Sequence, residues 1–177
     1  IATKSHVGPD DSADQIMERL ETSLGKLQTD YVDIFFNHAV NEVERLKNGA
    51  WFEFIEKAKR QGKIRFSGFS GHAGRLTDCI DYAVEQDMVD ALLVATNFGE
   101  DPSFYEEVYE RLTKGFDFVA KQQALPDSLA RAKAKNVGIV AMKVLRGAKL
   151  NDMRPYEAAG ATYAQAAFKW VLKNPNV

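Results

Sequence analysis

Five polar residues fall where successive predicted strands end: Lys4, His38, Ser70, Asn97 and Lys143. In parallel β/α folds the reactive groups collect at the carboxyl ends of the strands, because the loops there face one common mouth. A histidine beside a lysine from the preceding strand suits the polarisation of a carbonyl group, since both donors lie where negative charge develops on oxygen. The pattern therefore indicates a site for carbonyl chemistry.

The strands that position these residues are predicted from short apolar runs that alternate with helical patterns. Such alternation is typical of βα units and a mostly parallel sheet. The first predicted strand ends near residue 4. The other four cover residues 31–36, 63–69, 91–96 and 137–144. In the second strand, His38 shares a face with Phe36 and Ile34, whereas Tyr31 and Asp33 lie on the opposite face. The alternative for His38 is a core histidine at the rim of a barrel.

The helices are predicted from apolar stripes and capping residues. Ser12 and Gln15 form a capping box, and the stripe that follows consists of Ile16, Leu20, Leu24 and Leu27. Further helices are predicted over the Trp51–Ala58 and Leu76–Ala83 stretches and over 162–173, and Gly62 is expected to end the first of these. The stretch 102–136 is predicted to be helical with interruptions at Gly115 and Pro126.

The length limits how much of a barrel the chain can form. A complete eightfold β/α barrel takes about 250 residues, or roughly 31 for each unit. The 177 residues therefore leave room for about five to six units in a single, partial barrel domain over residues 1–177. An open barrel has two unpaired strand edges, so self-association is expected.

Composition excludes several classes of function. Acidic residues outnumber basic ones 25 to 23, so there is no global positive field to attract nucleic acid. Cys79 is the single cysteine, which excludes a disulfide framework within these residues. No apolar run approaches the ~20 residues that span a bilayer, and the start has neither a signal-peptide layout nor a Met. We expect a cytoplasmic fragment without a membrane partner.

Several motifs occur together in an order and spacing that resemble the aldo-keto reductases. The stretch around Lys4 is similar to the strand that bears the catalytic lysine of that family. The remaining similar stretches are Leu20–Leu24, Leu27–Ile34 with His38, Gly62–Arg65 and Gly68–Ser70. The resemblance implies a TIM barrel that binds NADPH, with NADH as the alternative, and that reduces the carbonyl group of a small aldehyde or ketone.

The resemblance also implies roles for individual residues. The family uses a tetrad of Asp, Tyr, Lys and His, of which Lys4 and His38 match the last two. Lys4 would lower the pKa of the proton-donating Tyr, and His38 would orient the substrate and polarise its carbonyl. Ser70 matches the serine that binds the nicotinamide carboxamide, and Asn97 lies near the position that supports the same ring. The Asp and Tyr belong to the unit before Lys4, so residues 1–177 alone are expected to be inactive.

The chain departs from the family pattern in several places, one of them just before Asn97, where apolar residues replace the usual amide partner. The usual Asn after the serine is Gly71, which weakens the expected grip on the carboxamide. Where many members stack an aromatic ring on the nicotinamide, this chain has Met142 followed by Lys143. Met142 would pack on the ring as a softer surface or, alternatively, serve only as a core residue. We expect Gly71, Met142 and Lys143 to contact the cofactor, as in a divergent branch of the family.

Two other functions fit parts of the pattern. His6, His38 and His72 all fall at or just beyond strand ends, where imidazoles bind zinc in barrel hydrolases and epimerases. The strand ends lack obvious carboxylate partners for such a metal. A non-catalytic nicotinamide-binding protein on the same fold is the second alternative, because a fold does not fix a function.

Overall fold

The computed structural model describes residues 1–72, 75–97, 124–145 and 162–177. Within these ranges the strands are β1 Ala2–Ser5, β2 Val32–Asn37, β3 Ile64–Gly71, β4 Ala91–Ala95 and β5 Gly138–Met142. The helices are α1 Ala13–Leu27, α2 Gly49–Arg60, α3 Leu76–Glu85, α4 Leu125–Ala134 and α5 Tyr163–Leu172, and a 3-10 helix covers Val43–Leu46.

The five strands form one parallel sheet in the order β1-β2-β3-β4-β5. Lys4 is opposite Phe36, Phe36 is opposite Gly68, and Gly68 is opposite Ala91. Sequential order in a parallel sheet requires a crossover between each pair of neighbours, and α1 to α4 lie in those crossovers. The predicted α/β architecture of consecutive βα units is therefore confirmed.

One face of the sheet is packed against the helices. Phe35 of β2 packs against two aromatic rings of α2, with its ring centroid 6.2 Å from that of Trp51 and 5.4 Å from that of Phe54. A second core cluster joins Phe69 of β3 and Leu92 of β4 to helices α3 and α4. The apolar stripes predicted on α2 and α3, and that of α1 except for Leu27, are buried here and determine which side of each helix meets the sheet.

The opposite face of the sheet carries both apolar residues and the candidate site. Phe66 and Val140 lie on this face and are 51% and 46% exposed. They alternate with Ser67 and Ile139, which point toward the helix side. In a closed β/α barrel this second face is the packed interior. Lys4 and His38 lie on the same face, at its carboxyl edge.

Some boundaries differ from the sequence-based expectations. The capping box of α1 is confirmed, with Ser12 accepting from the Gln15 N–H, but Leu27 is 44% exposed and not part of the core. Leu27 is the last helical residue, and the chain turns away at Gln28 (φ 54). Pro126 lies in the first turn of α4, where its missing N–H has no helical partner to lose, and the part of the stretch before residue 124 lies outside the described residues.

Other expectations concern the ends of elements. Gly62 adopts a positive φ of 69 just after α2, as its predicted role in ending that helix requires. β5 ends at Met142 and not at Val144, because Lys143 adopts a left-handed φ of 59. The predicted break at Gly115 lies outside the described residues. No described helix has both the length and the apolar composition needed to cross a bilayer.

Candidate active site

Lys4 and His38 extend from adjacent strand ends on one face of the sheet. Lys4 is in register with Phe36, and the His38 N–H donates to the carbonyl oxygen of Ser5 at 2.8 Å. His38 follows the last residue of β2, and the positive charge of Lys4 is near enough to lower the pKa of its imidazole. Both Lys4 and His38 are exposed. The structure therefore places a lysine and a histidine, both exposed, at adjacent strand ends.

The surroundings of His38 favour its neutral form. The His38 side chain is exposed as a whole, but its partial burial is the largest cause that lowers the pKa of the imidazole. The positive charges of four neighbours lower it further: Lys4, His72, His6 and Arg45. Loss of solvation and nearby like charges both penalise the cation. A neutral imidazole carries one N–H donor and one acceptor nitrogen. His38 is thus suited to donate a hydrogen bond to an oxygen at neutral pH.

Ser70 lies at the end of β3 and is tied to the loop that follows His38. The Ala39 N–H donates to the Ser70 hydroxyl oxygen at 3.1 Å, and the Val40 N–H donates to the Ser70 carbonyl oxygen at 2.8 Å. Ser70 is only 1% exposed. Because the hydroxyl accepts from Ala39, its own proton remains available for donation to another acceptor.

Gly71 occupies a position that has no room for a side chain. A Cβ atom there would lie 2.5 Å from Leu76 Cδ1 and 2.8 Å from the Val40 carbonyl oxygen. Both distances are well below van der Waals contact, and the second involves backbone that cannot easily move. Packing of α3 and of the loop after β2 therefore accounts for glycine here, in place of the asparagine of the family pattern.

Asn97, Met142 and Lys143 lie at the ends of β4 and β5. Asn97 is 9% exposed and follows Thr96, whose N–H donates to the Met142 carbonyl oxygen at 3.2 Å. Met142 and Lys143 line an open cleft of about 710 Å³ together with Phe168 of α5. The predicted cofactor residues thus form two groups along one edge of the sheet. The first group is Ser70 and Gly71, and the second is Asn97, Met142 and Lys143.

A polar network beside His38 was not predicted from the sequence. Asn37 is 1% exposed, and its side-chain oxygen accepts from the Val7 N–H at 3.2 Å and from Arg45 Nη2 at 2.8 Å. Arg45 lies between Glu44 and Leu46, in a charged stretch of sequence that is typical of a solvent-exposed segment. The one available signal was Asn37 itself, since a polar side chain that ends a buried strand must find hydrogen-bonding partners.

The three histidines do not form a metal site. Across the described residues, which include His6, His38 and His72, no group of three or more His, Cys, Asp and Glu side chains is placed to hold a metal ion. The acidic side chain near His6 is Asp11, which binds Arg19 at 2.5 and 2.8 Å and the Gly8 N–H at 2.7 Å. The zinc hypothesis gains no support from this arrangement.

Comparisons with known proteins agree with the geometry. L-galactose dehydrogenase of Arabidopsis thaliana is 26% identical over 152 residues, which cover 85% of this chain and 41% of that protein. A solved structure described as an aldo-keto reductase of Pseudomonas aeruginosa has a TM-score of 0.65 at 21% identity, with 100% of this chain and 55% of that chain covered. The aldo-keto reductase of Bombyx mori in complex with NADP has a TM-score of 0.52 at 17% identity, with 81% and 40% covered.

Two conclusions follow from these similarities. The chain spans about half the length of the relatives it matches. The five strands accordingly correspond to part of the barrel in the solved relatives. The partial TIM barrel predicted from the sequence is therefore confirmed. The model of the aldo/keto reductase family matches residues 1–177, and the chain belongs to that family.

Proposed function

We propose that this protein transfers hydride from NADPH to the carbonyl carbon of a small aldehyde or ketone, with NADH as the alternative cofactor. The observation that carries the proposal is the pairing of Lys4 and His38 on one face of the sheet, at adjacent strand ends. Family membership supports it. The reaction places negative charge on the carbonyl oxygen, and preorganised donors near that oxygen lower the barrier.

His38 is proposed to donate its imidazole N–H to the substrate oxygen. Its lowered pKa keeps the ring neutral at neutral pH, so the ring holds and orients the carbonyl without adding a further charge to the site. Lys4 is proposed to stabilise negative charge beside the same oxygen and to lower the pKa of the proton-donating tyrosine that the family pattern implies. The two side chains would therefore act on one oxygen from neighbouring strands.

The residues at the other strand ends are proposed to bind a nicotinamide dinucleotide. The open cleft beside Met142 and Lys143 lies at the end of β5, at the edge of the sheet where ligands bind in parallel β/α folds. Its lining combines the apolar residues Met142 and Phe168, suited to a flat ring, with Lys143. When bound, the reduced nicotinamide supplies the hydride. The NADP complex of the Bombyx mori relative supports NADP as the cofactor.

Ser70, Gly71 and Asn97 are proposed to hold the carboxamide end of the cofactor. The Ser70 hydroxyl can donate its proton to the carboxamide oxygen while it accepts from the Ala39 N–H. Asn97, at the end of β4, would support the ring from the neighbouring strand. Gly71 contributes backbone only, so the carboxamide contact depends on Ser70 more than the family pattern suggests.

The test is NADPH consumption by the whole protein with a panel of aldehydes and ketones. His38→Ala should lower kcat by ~10²-fold, the scale of one lost donor to a developing oxyanion, and Lys4→Met should lower it at least as much. Lys135→Met is the matched control, because Lys135 pairs with Asp87 on the helix side of the sheet and its loss should change kcat by less than about 2-fold.

Cofactor binding provides an independent measurement. Quenching of Trp51 and Trp170 fluorescence on titration with NADPH, and then with NADH, reports binding without turnover. Saturable binding with turnover that depends on His38 and Lys4 would support the proposal. No binding of either cofactor by the whole protein, or an unchanged kcat for both variants, would refute it.

A further inference from the structure

Arg45 lies in the 3-10 helix Val43–Leu46, directly behind the loop that carries His38. Its guanidinium donates to two separate segments of backbone. Nε and Nη2 donate to the Val7 carbonyl oxygen at 3.0 and 2.9 Å, after β1. Nη1 donates to the Ala39 carbonyl oxygen at 2.6 Å and Nη2 to that of His38 at 3.0 Å, after β2. One side chain thus joins the loops that follow both strands of the candidate site.

The acceptors distinguish Arg45 from an ordinary surface arginine. Among the described residues they are all uncharged oxygens, including the Asn37 side-chain oxygen at 2.8 Å, and no carboxylate hydrogen bonds with this guanidinium. Partial burial lowers the pKa of Arg45, against smaller opposite effects of Cys79, Glu42 and Asp11. A half-buried cation without a directly paired carboxylate is costly. Its planar fork of donors is nevertheless well suited to bridge several carbonyl groups at fixed angles.

The backbone that Arg45 holds is strained. Ala39 has a φ of 56, in the left-handed region that residues with a Cβ rarely adopt. Its N–H donates to the Ser70 hydroxyl oxygen, and its carbonyl oxygen accepts from Arg45 Nη1, so it is fixed on both sides. Strained conformations persist where the surroundings over-determine them, and they cluster at functional sites. Here the strained residue is the direct neighbour of His38.

We propose that Arg45 is a positioning residue, which holds the His38 and Ala39 carbonyls so that the His38 imidazole is presented beside Lys4 on the open face of the sheet. The inference rests on the proposed carbonyl reductase function. Arg45 acts through His38 and does not touch the substrate. Its removal should therefore change the step that depends on His38 more than the binding of cofactor or substrate.

The first test compares Arg45→Met with Arg131→Met in the whole protein. Arg131 pairs with Asp81 between α4 and α3, away from the strand ends. Arg45→Met should lower kcat by ~10²-fold, the cost of a small misplacement of a catalytic group, with the KM values for NADPH and carbonyl within about 3-fold. Arg131→Met should change kcat by less than about 2-fold. A wild-type kcat for Arg45→Met would overturn the inference.

Two further variants keep the test decisive if Arg45→Met folds poorly. Arg45→Lys retains the charge but not the fork, and it should show the same loss of kcat at unchanged KM. In Arg45→Gly, added guanidinium ion should restore kcat at least ~5-fold, because the ion can occupy the vacated position, whereas tetramethylammonium should not. Full activity of Arg45→Lys would show that charge alone suffices and would overturn the positioning role.

A double-mutant cycle tests whether Arg45 acts through His38. Groups that work as a unit are non-additive, so Arg45→Met should cost less than about 3-fold on a His38→Ala background. A cost of ~10²-fold on both backgrounds would overturn the inference.

An NMR measurement on the His38 imidazole, through a ring carbon and its attached proton, distinguishes failure of this inference from failure of the proposed function. The His38 signal should shift and broaden in Arg45→Met and stay unchanged in Arg131→Met, whether or not His38 is catalytic. If His38→Ala retains full turnover, the proposed function fails at that residue, and the NMR comparison decides the positioning role. A His38 signal that is identical in the wild type and in Arg45→Met would overturn that role.

Discussion

The hydroxyl oxygen of Ser70 accepts a hydrogen bond from the backbone N–H of Ala39, at 3.1 Å, across the ends of β3 and β2. Ser70 is proposed to hold the carboxamide of the cofactor, and Ala39 is the neighbour of His38. One hydroxyl group therefore connects the proposed cofactor contact to the loop that carries the proposed substrate contact. Because Ala39 has a left-handed φ of 56, this loop depends on such bonds to keep its shape.

Gly71→Ala should destabilise the protein by about 1–3 kcal/mol, the usual cost of forcing a methyl group into a packed site. The new Cβ would meet Leu76 Cδ1 at 2.5 Å and the Val40 carbonyl oxygen at 2.8 Å. Gly25→Ala is the control, since nothing lies within 4 Å of a Cβ at that helical position, and it should stabilise by about 0.5–1 kcal/mol. Urea unfolding measures both. Equal effects of the two substitutions would contradict the crowding at Gly71.

Asp11→Asn should destabilise the protein by about 1–2 kcal/mol at neutral pH. The hydrogen bond from Arg19 is the largest influence that lowers the pKa of Asp11, to about 2 from 3.8. A lowered carboxyl pKa contributes stability above the unfolded value of 3.8, and that contribution is lost as the pH falls toward about 2. The difference in free energy of unfolding between the wild type and Asp11→Asn, measured by urea unfolding, should therefore decrease below pH 3.8.

The control for Asp11 is its neighbour Asp10, which is exposed. Asp10→Asn should change the free energy of unfolding by less than about 0.5 kcal/mol. If the difference in free energy of unfolding between the wild type and Asp11→Asn stays constant from neutral pH downward, the ion pair with Arg19 is not the cause of the destabilisation.

The imidazole of His38 should titrate below 6.5, because burial and the neighbouring positive charges lower its pKa. Between the folded pKa and 6.5 the unfolded chain binds more protons than the folded chain, so stability rises with pH through that window. NMR titration of the imidazole gives the pKa directly. In His38→Gln the rise in unfolding free energy with pH over this window should be smaller. A folded pKa at or above 6.5 would contradict the description of the site.

Phe54→Ala should destabilise the protein by about 3–5 kcal/mol, the range for truncating a buried phenylalanine. Phe54 is fully buried, with its ring centroid 5.4 Å from Phe35 and 5.5 Å from Trp51. Phe52 lies two residues away on the same helix and is 40% exposed. Phe52→Ala should therefore cost less than about 1 kcal/mol in thermal or urea unfolding. Similar costs for the two variants would mean that α2 packs through a different face.

The sequence by itself determined the alternation of strands and helices and most of their starts. Period-two and helical spacing are properties of neighbouring residues, so the capping box at Ser12 and the buried stripe of α1 could be predicted locally. The same period placed His38 on the face of Phe36 and Ile34, and the strand pattern put Lys4 and His38 at the ends of two successive strands. Motif order added the family, because Lys4, His38 and Ser70 occur at the spacing that the family pattern requires.

The tertiary structure alone decided which distant groups share the site. Arg45 reaches Val7 across 38 residues of sequence, and Gly71 lacks room because of Leu76 and Val40. Leu27 fitted the apolar stripe but lies at the exposed end of its helix. No local period encodes these relationships, because they arise from where the helices and loops pack on the sheet. Hydrogen bonding and steric exclusion in three dimensions therefore complete a site whose strand-end residues the sequence had already indicated.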